Sequence, residues 1–83
     1  MIHVHSWRDS NGNEVDLIVD KAGVLTPVEI KSGQTVSDDW FKGLERWLKL
    51  VGEKGASPTL IYGGEESYTH RGVDVLSWRQ CTK

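Results

Sequence analysis

Eighty-three residues, 37% apolar and 27% charged, bound one small globular domain near the lower limit of what a single core can hold together, and exclude a disordered tail. A formal net charge of −2 excludes a protein that holds nucleic acid by bulk charge, so such a contact needs a local basic patch. The single cysteine, Cys81, excludes an internal disulfide, and with no signal peptide and no long apolar run the expected location is the cytoplasm, with no membrane.

Residues 2–8 (I-H-V-H-S-W-R) alternate as a strand, with His3, His5 and Trp7 on one side. Ser10-Asn11-Gly12-Asn13 predicts a hairpin with a type I′ Asn-Gly turn. A second strand is expected over 14–20, with Val15, Leu17 and Val19 on one face and Glu14, Asp16 and Ile18 on the other. After the turn 20–23, a third strand runs over 24–31 with Val28 and Ile30 toward the core. Pro27 lacks an N–H and places that part of the strand at an edge or a bulge. The register matters: pairing Asp20 with Leu25 sets Asp16 opposite Glu29, whereas a three-residue loop sends the two acids to opposite faces.

Residues 32–37 form a loop, and Ser37 with Asp38 and Asp39 behind it predicts a helix start. That helix is expected to reach about residue 51, burying Trp40, Leu44, Trp47, Leu48 and Val51 and leaving Lys42, Arg46 and Lys49 on its wet side; Gly52 and Gly55 stop it. Residues 59–62 form a short apolar strand that Gly63-Gly64 ends. Tyr68–Arg71 reads as a polar loop and 73–78 as the last strand. The order is β-β-β-α-β-β, an α/β domain (α+β-like) with a mixed sheet and one main helix; a right-handed crossover lays the fourth strand parallel beside the third.

The charged residues Asp16, Glu29 and Lys31 interrupt two apolar strands. Two converging carboxylates supply hard oxygen ligands for Mg²⁺ or Mn²⁺, Glu14 shares the face of Asp16 as a further metal ligand, and Lys31 would orient a water or neutralise charge on a phosphoryl group. The plainer reading of the same spacing is a solvated hairpin whose Glu29–Lys31 pair contributes ~0–1 kcal/mol.

The pattern Asp16…Glu29-Ile30-Lys31 resembles the PD-(D/E)XK nuclease superfamily. W-R-D-S-N-G-N-E-V-D-L-I-V (7–19), P-V-E-I-K-S-G (27–33) and L-I-Y-G-G-E-E-S-Y (60–68) are similar to the nuclease-like C-terminal domain of many bacterial and archaeal AAA-type ATPases. The resemblance implies a restriction-endonuclease-like core over the single domain 1–83 and metal-dependent cleavage of nucleic-acid phosphodiesters. Asp16 and Glu29 would match the metal ligands and Lys31 the catalytic lysine. The superfamily's opening helix is missing, and Val15 stands where the motif's name has proline. The alternative within the same resemblance is a non-enzymatic accessory or oligomerisation module. No phosphate-loop motif occurs; Lys31-Ser32-Gly33 has the wrong order, so the ATPase half is not in this chain. With one helix, the sheet keeps an uncovered face, and a homodimer burying Trp7 or Trp78 is expected.

Weaker candidates are the metal pair His3-x-His5, a phosphate-tracking row Lys42–Arg46–Lys49 diluted by Glu45 and Glu53, and base stacking by Trp40 or Trp47. Exposed histidines, a wet helix face and a core stripe account for them more simply. Cys81 has no base at hand in the sequence and reads as idle.

Overall fold

The computed structural model describes residues 2–12 and 14–81, the side chains of Gln80 and Cys81 excepted, so the reading of Cys81 falls outside the described side chains. Six strands form one mixed sheet: β1 (Ile2–Arg8), β2 (Glu14–Lys21), β3 (Val24–Ile30), β4 (Thr59–Tyr62), β5 (Tyr68–His70) and β6 (Val73–Ser77), in the spatial order β1-β2-β3-β4-β6-β5. The hairpins β1–β2–β3 and β5–β6 are antiparallel, and β3–β4 and β4–β6 are parallel. The main helix, α1 (Lys42–Val51), crosses one face, and a short α2 (Trp78–Cys81) follows β6. The domain is thus a mixed α/β fold with a six-stranded sheet.

Several details differ from the sequence expectation. The Tyr68–Arg71 stretch is not all loop: Tyr68–His70 pairs with β6 through a tight turn in which Arg71 and Gly72 both take positive φ. The two-residue turn of the first meander is Ala22-Gly23, again positive at both φ, whereas Asn11-Gly12 lies in a longer loop in which Asn11 is not left-handed; Asn13 lies outside the described residues. Glycine at position 23 meets that demand without steric cost, and the Asp20 carboxylate accepts its N–H at 3.2 Å. Finally, β2 is not a simple alternation. His5 pairs with Ile18 and Trp7 with Val15, so Ser6 alone faces both Asp16 and Leu17. That bulge turns Val15 and Ile18, three apart, onto the same side, where both are buried under α1; the expected Val15–Leu17–Val19 face is broken there.

The core lies between α1 and the sheet: Val15, Ile18, Phe41, Leu44, Trp47, Leu60, Tyr62, Val73 and Val75. Ser37 caps as expected, accepting the Asp39 N–H, but the first turn, Asp38–Phe41, is a 3₁₀ helix before α1 proper begins. Phe41 rather than Trp40 takes the fully buried place, and Trp40 packs its ring edge on Gly33. Gly43 lets the helix approach the sheet closely, because a Cβ there would stand 2.8 Å from the Glu14 carbonyl oxygen. Gly52 ends α1 at a positive φ, its N–H returned to the Leu48 carbonyl. Pro27 sits in β3 just before the β4 ladder begins at Val28, so its missing donor falls where β3 has no second neighbour.

Among the described residues the main helix leaves the opposite sheet face uncovered. Ile30, expected toward the core, is exposed there with Ile2, Val4 and Val24, because the buried side of β3 carries Leu25, Pro27 and Glu29; the register Ile2–Lys21–Val24 and Ile30–Ile61 sets them in rows. No helix among the described residues is long and apolar enough to cross a membrane.

Candidate functional site

The β2–β3 register pairs Asp20 with Leu25 and runs as far as Leu17–Val28. The next rung, Asp16 and Glu29, falls at the bulge, and there side chains replace the ladder. The Glu29 carboxylate accepts the Asp16 N–H (Oε1, 3.0 Å), and the Asp16 carboxylate accepts the Ile30 N–H (Oδ2, 2.9 Å). The strands therefore open into a fork whose two arms are each held by an acid from the other. Lys31, the next outward residue of β3's line, places Nζ 3.4 Å from Glu29 Oε2. Its own backbone is fixed by an N–H···O bond to Ile61 at 2.8 Å. Asp16, Glu29 and Lys31, spread over sixteen positions of sequence, meet at one point.

Electrostatically the three are unequal. Glu29 is only 6% exposed, lying under the helix side of the sheet, whereas Asp16 faces solvent. Burial pushes the Glu29 carboxyl above the ordinary glutamate range. The Asp16 N–H opposes that shift, the Asp16 charge adds to it, and Lys31 opposes it again. Net charge at the fork is one negative unit when all three groups are ionised, and a cation would relieve the strain of two adjacent carboxylates.

Glu14 does not join them. Its carboxylate forms an exposed ion pair with Arg8 across the β1–β2 rung (2.9 Å), and among the described residues no three His, Cys, Asp or Glu side chains gather as a metal cage. The donor set at the fork is two carboxylates; one oxygen of each accepts a backbone N–H, and the second oxygen of Glu29 faces Lys31 Nζ. Such a pair fits Mg²⁺, which keeps several waters and accepts few protein ligands, better than it fits Zn²⁺ or Ca²⁺.

A family model described as a domain of unknown function, DUF4143, matches residues 1–81. The chain belongs to the DUF4143 family. No curated protein and no solved structure matches it. The family description assigns no activity, so what this DUF4143 domain does is argued from its geometry.

Around the fork, the DUF4143 domain brings together residues that the sequence did not single out. The parallel strands β3, β4 and β6 all end on the same side as Lys31, and their C-terminal loops are locked together. Gly63 donates its N–H to the Gly33 carbonyl at 2.9 Å, and a Cβ at Gly63 would collide with the Ser32 carbonyl oxygen. Ser77, fully buried, donates its hydroxyl to the Gly64 carbonyl (2.7 Å), and its oxygen accepts the Arg79 N–H (3.3 Å). The Gly63-Gly64 pair was the readable signal: two glycines closing a strand mark a close backbone approach. The remaining candidates stay dispersed. His3 and His5 are exposed on the edge strand β1, and Lys42 is tied to Asp39 at 2.8 Å. Trp47 belongs to the core, with Trp40 packed against it.

Proposed function

We propose that this domain is a divalent-metal-dependent phosphodiesterase acting on nucleic acid, with a restriction-endonuclease-like core, in which Asp16 and Glu29 hold Mg²⁺ or Mn²⁺ and Lys31 assists the reaction. The observation that carries it is the fork itself. A purely structural cap needs only an acceptor for each amide, which Asn and Gln supply without charge; two carboxylates, one of them buried and facing the other's charge, are costly for that task alone. The Asp16…Glu29-Ile30-Lys31 pattern and its likeness to the PD-(D/E)XK nucleases point the same way.

The cation would supply positive charge against the phosphate and activation of water. Glu29, fixed by the Asp16 N–H, and Asp16, fixed by the Ile30 N–H, would hold the cation between them, and Glu29 Oε2 also faces the Lys31 ammonium at 3.4 Å. Lys31 holds an ammonium beside them, where it neutralises charge building on the phosphoryl oxygens or orients the attacking water. The water oxygen bonds to phosphorus and gives up a proton to solvent, the P–O ester bond breaks, and the leaving alkoxide takes a proton from solvent to depart as the alcohol. Mn²⁺ titration and a cleavage assay on plasmid and single-stranded DNA and on RNA test this. Lys31→Ala should lose cleavage and keep metal binding, whereas Asp16→Ala and Glu29→Ala lose both. Cleavage surviving in purified Glu29→Ala protein would overturn the assignment.

A second reading, an accessory module that assembles without catalysis, is favoured by one observation. Ile2 and Val4 are exposed on β1, an edge strand, with Val24 in the same row. We propose homodimerisation through this hairpin half, two copies of β1 pairing antiparallel about a two-fold axis. Light scattering should give twice the 9.3 kDa chain mass, and Val4→Lys should return it to the single value; a wild-type monomer removes this reading.

A further inference from the structure

The C-terminal ends of β3, β4 and β6 enclose a cavity of about 390 Å³ on the open sheet face, away from the hairpin half. Its lining is Ile30, Lys31, Ser32, Ile61, Tyr62, Gly63 and Trp78. Resting on the phosphodiesterase reading above, we propose that this pocket holds one unpaired nucleobase next to the phosphate to be cut, which makes the substrate single-stranded or frayed nucleic acid.

Four observations point to that occupant. Position comes first: crevices at the carboxyl ends of parallel strands are where open α/β sheets take ligands, and three such ends converge here. Second, Lys31 belongs to both places. Its ammonium contacts Glu29 at 3.4 Å on the helix side, and Lys31 also lines the pocket at the strand end, so a strand with one base seated in the pocket passes over the carboxyl edge of the sheet to reach the fork. Third, the chemistry of the wall suits a flat ring carrying an anion. Ile30 and Ile61 are paired neighbours, Trp78 stands at the start of α2, and among the described residues one cation and no acid line the space. The neighbouring cavity of about 470 Å³, beyond Gly63, is lined by Glu65 and Glu66 as well as Arg79 and is the poorer place for a phosphate ester. Fourth, Trp78 is 48% and Ile30 50% exposed, so both leave apolar surface in water that a stacked base would cover.

The same geometry selects the strand state. A base inside a duplex is stacked and paired and cannot enter a pocket set back beside the catalytic lysine unless it is extruded. An unpaired strand has no such cost, and stacking on Trp78 is tolerant of base identity, so the pocket favours single strands without reading sequence.

The test is fluorescence anisotropy with a labelled ten-nucleotide DNA strand, a strand of the same length abasic at every position, and the matching duplex. All are measured in EDTA, so that binding is separated from cleavage. The intact single strand should bind more tightly than the duplex. Trp78→Ala, at a half-exposed position and checked for folding by circular dichroism, should weaken it by roughly 10- to 100-fold, with Trp78→Phe close to wild type. The strand abasic at every position should bind the wild type more weakly by a similar factor and bind Trp78→Ala no more weakly than the intact strand does. Equal affinity for duplex and single strand, or indifference to Trp78→Ala, overturns the proposal while leaving metal-dependent cleavage standing. Trp78-dependent binding with no cleavage by any metal keeps the pocket and removes the phosphodiesterase. A Trp78→Ala protein that changes its mass in light scattering would show a second copy filling the pocket and overturn the base assignment.

Discussion

Exchanging Glu29 for Gln separates the two tasks that this residue performs. Gln keeps an oxygen that accepts the Asp16 N–H, now as a neutral bond of about 0.5–1.5 kcal/mol in place of a charge-assisted one of about 1.5–3. It also gives up the pair with the part-exposed Lys31, about 0–1 kcal/mol. Against these stands the removal of a buried charge, a penalty of several kcal/mol per ion even after relaxation. Because burial pushes the Glu29 carboxyl above its ordinary range in spite of both partners, the neutral form is favoured by the folded state. The wild type therefore binds an extra proton when folded, and its stability falls as pH rises from the ordinary glutamate value through the raised folded one. Glu29→Gln lacks that loss. The two proteins should melt alike at about pH 4, and the variant should be the more stable at about pH 7.5, by an order of 1 kcal/mol or roughly 4–8 °C. A cation at ten times its Kd adds about 1.4 kcal/mol, some 6–11 °C, to the wild type and nothing to the variant. Circular-dichroism melts at both pH values, with and without Mn²⁺, read all of this. Parallel pH profiles, or a variant that melts lower than wild type at pH 7.5, would show that the carboxylate is a stabilising cap and refute the burial argument.

Gly63→Ala should cost about 2–4 kcal/mol in urea denaturation, because its Cβ would collide with the Ser32 carbonyl oxygen and break the Gly63–Gly33 hydrogen bond. Ser77→Ala leaves the Gly64 carbonyl without its buried donor, a loss of about 1–3 kcal/mol by the same measurement. Leu44→Ala, at a fully buried position on α1, should lower stability by about 2–5 kcal/mol and the melting midpoint by about 10 °C or more.

The parts of the fold that announced themselves did so through punctuation. Pro58 and Gly63-Gly64 bracket β4 on both sides, and Gly52 ends α1. The acid pair was legible once the Asp20–Leu25 register was chosen, because a meander fixes every rung from its turn. What escaped were features set by tertiary contact. The β2 bulge moves Ile18 into the core, and nothing local in N-E-V-D-L-I-V marks it. Strand β5 is three exposed residues with no apolar rhythm, and only the Arg71-Gly72 turn betrays it. Glu14 sits two residues from Asp16 in sequence, yet Arg8 across the hairpin claims its carboxylate. The pocket walled by Trp78 joins the ends of three strands that no short window of sequence contains.

The interlocked fork also makes the backbone a sensor. The amides of Asp16 and Ile30 are bonded to side-chain carboxylates and not to ladder carbonyls, so each stays protected only while its acid is in place. A ligand that draws either carboxylate toward itself loosens the opposite strand, and a ligand that holds both in position tightens the seam between the hairpin half and the parallel half of the sheet. Occupancy is thereby converted into the breathing of β2 against β3. Two backbone signals, their amide shifts and their hydrogen-exchange rates, carry that information without any label at the site.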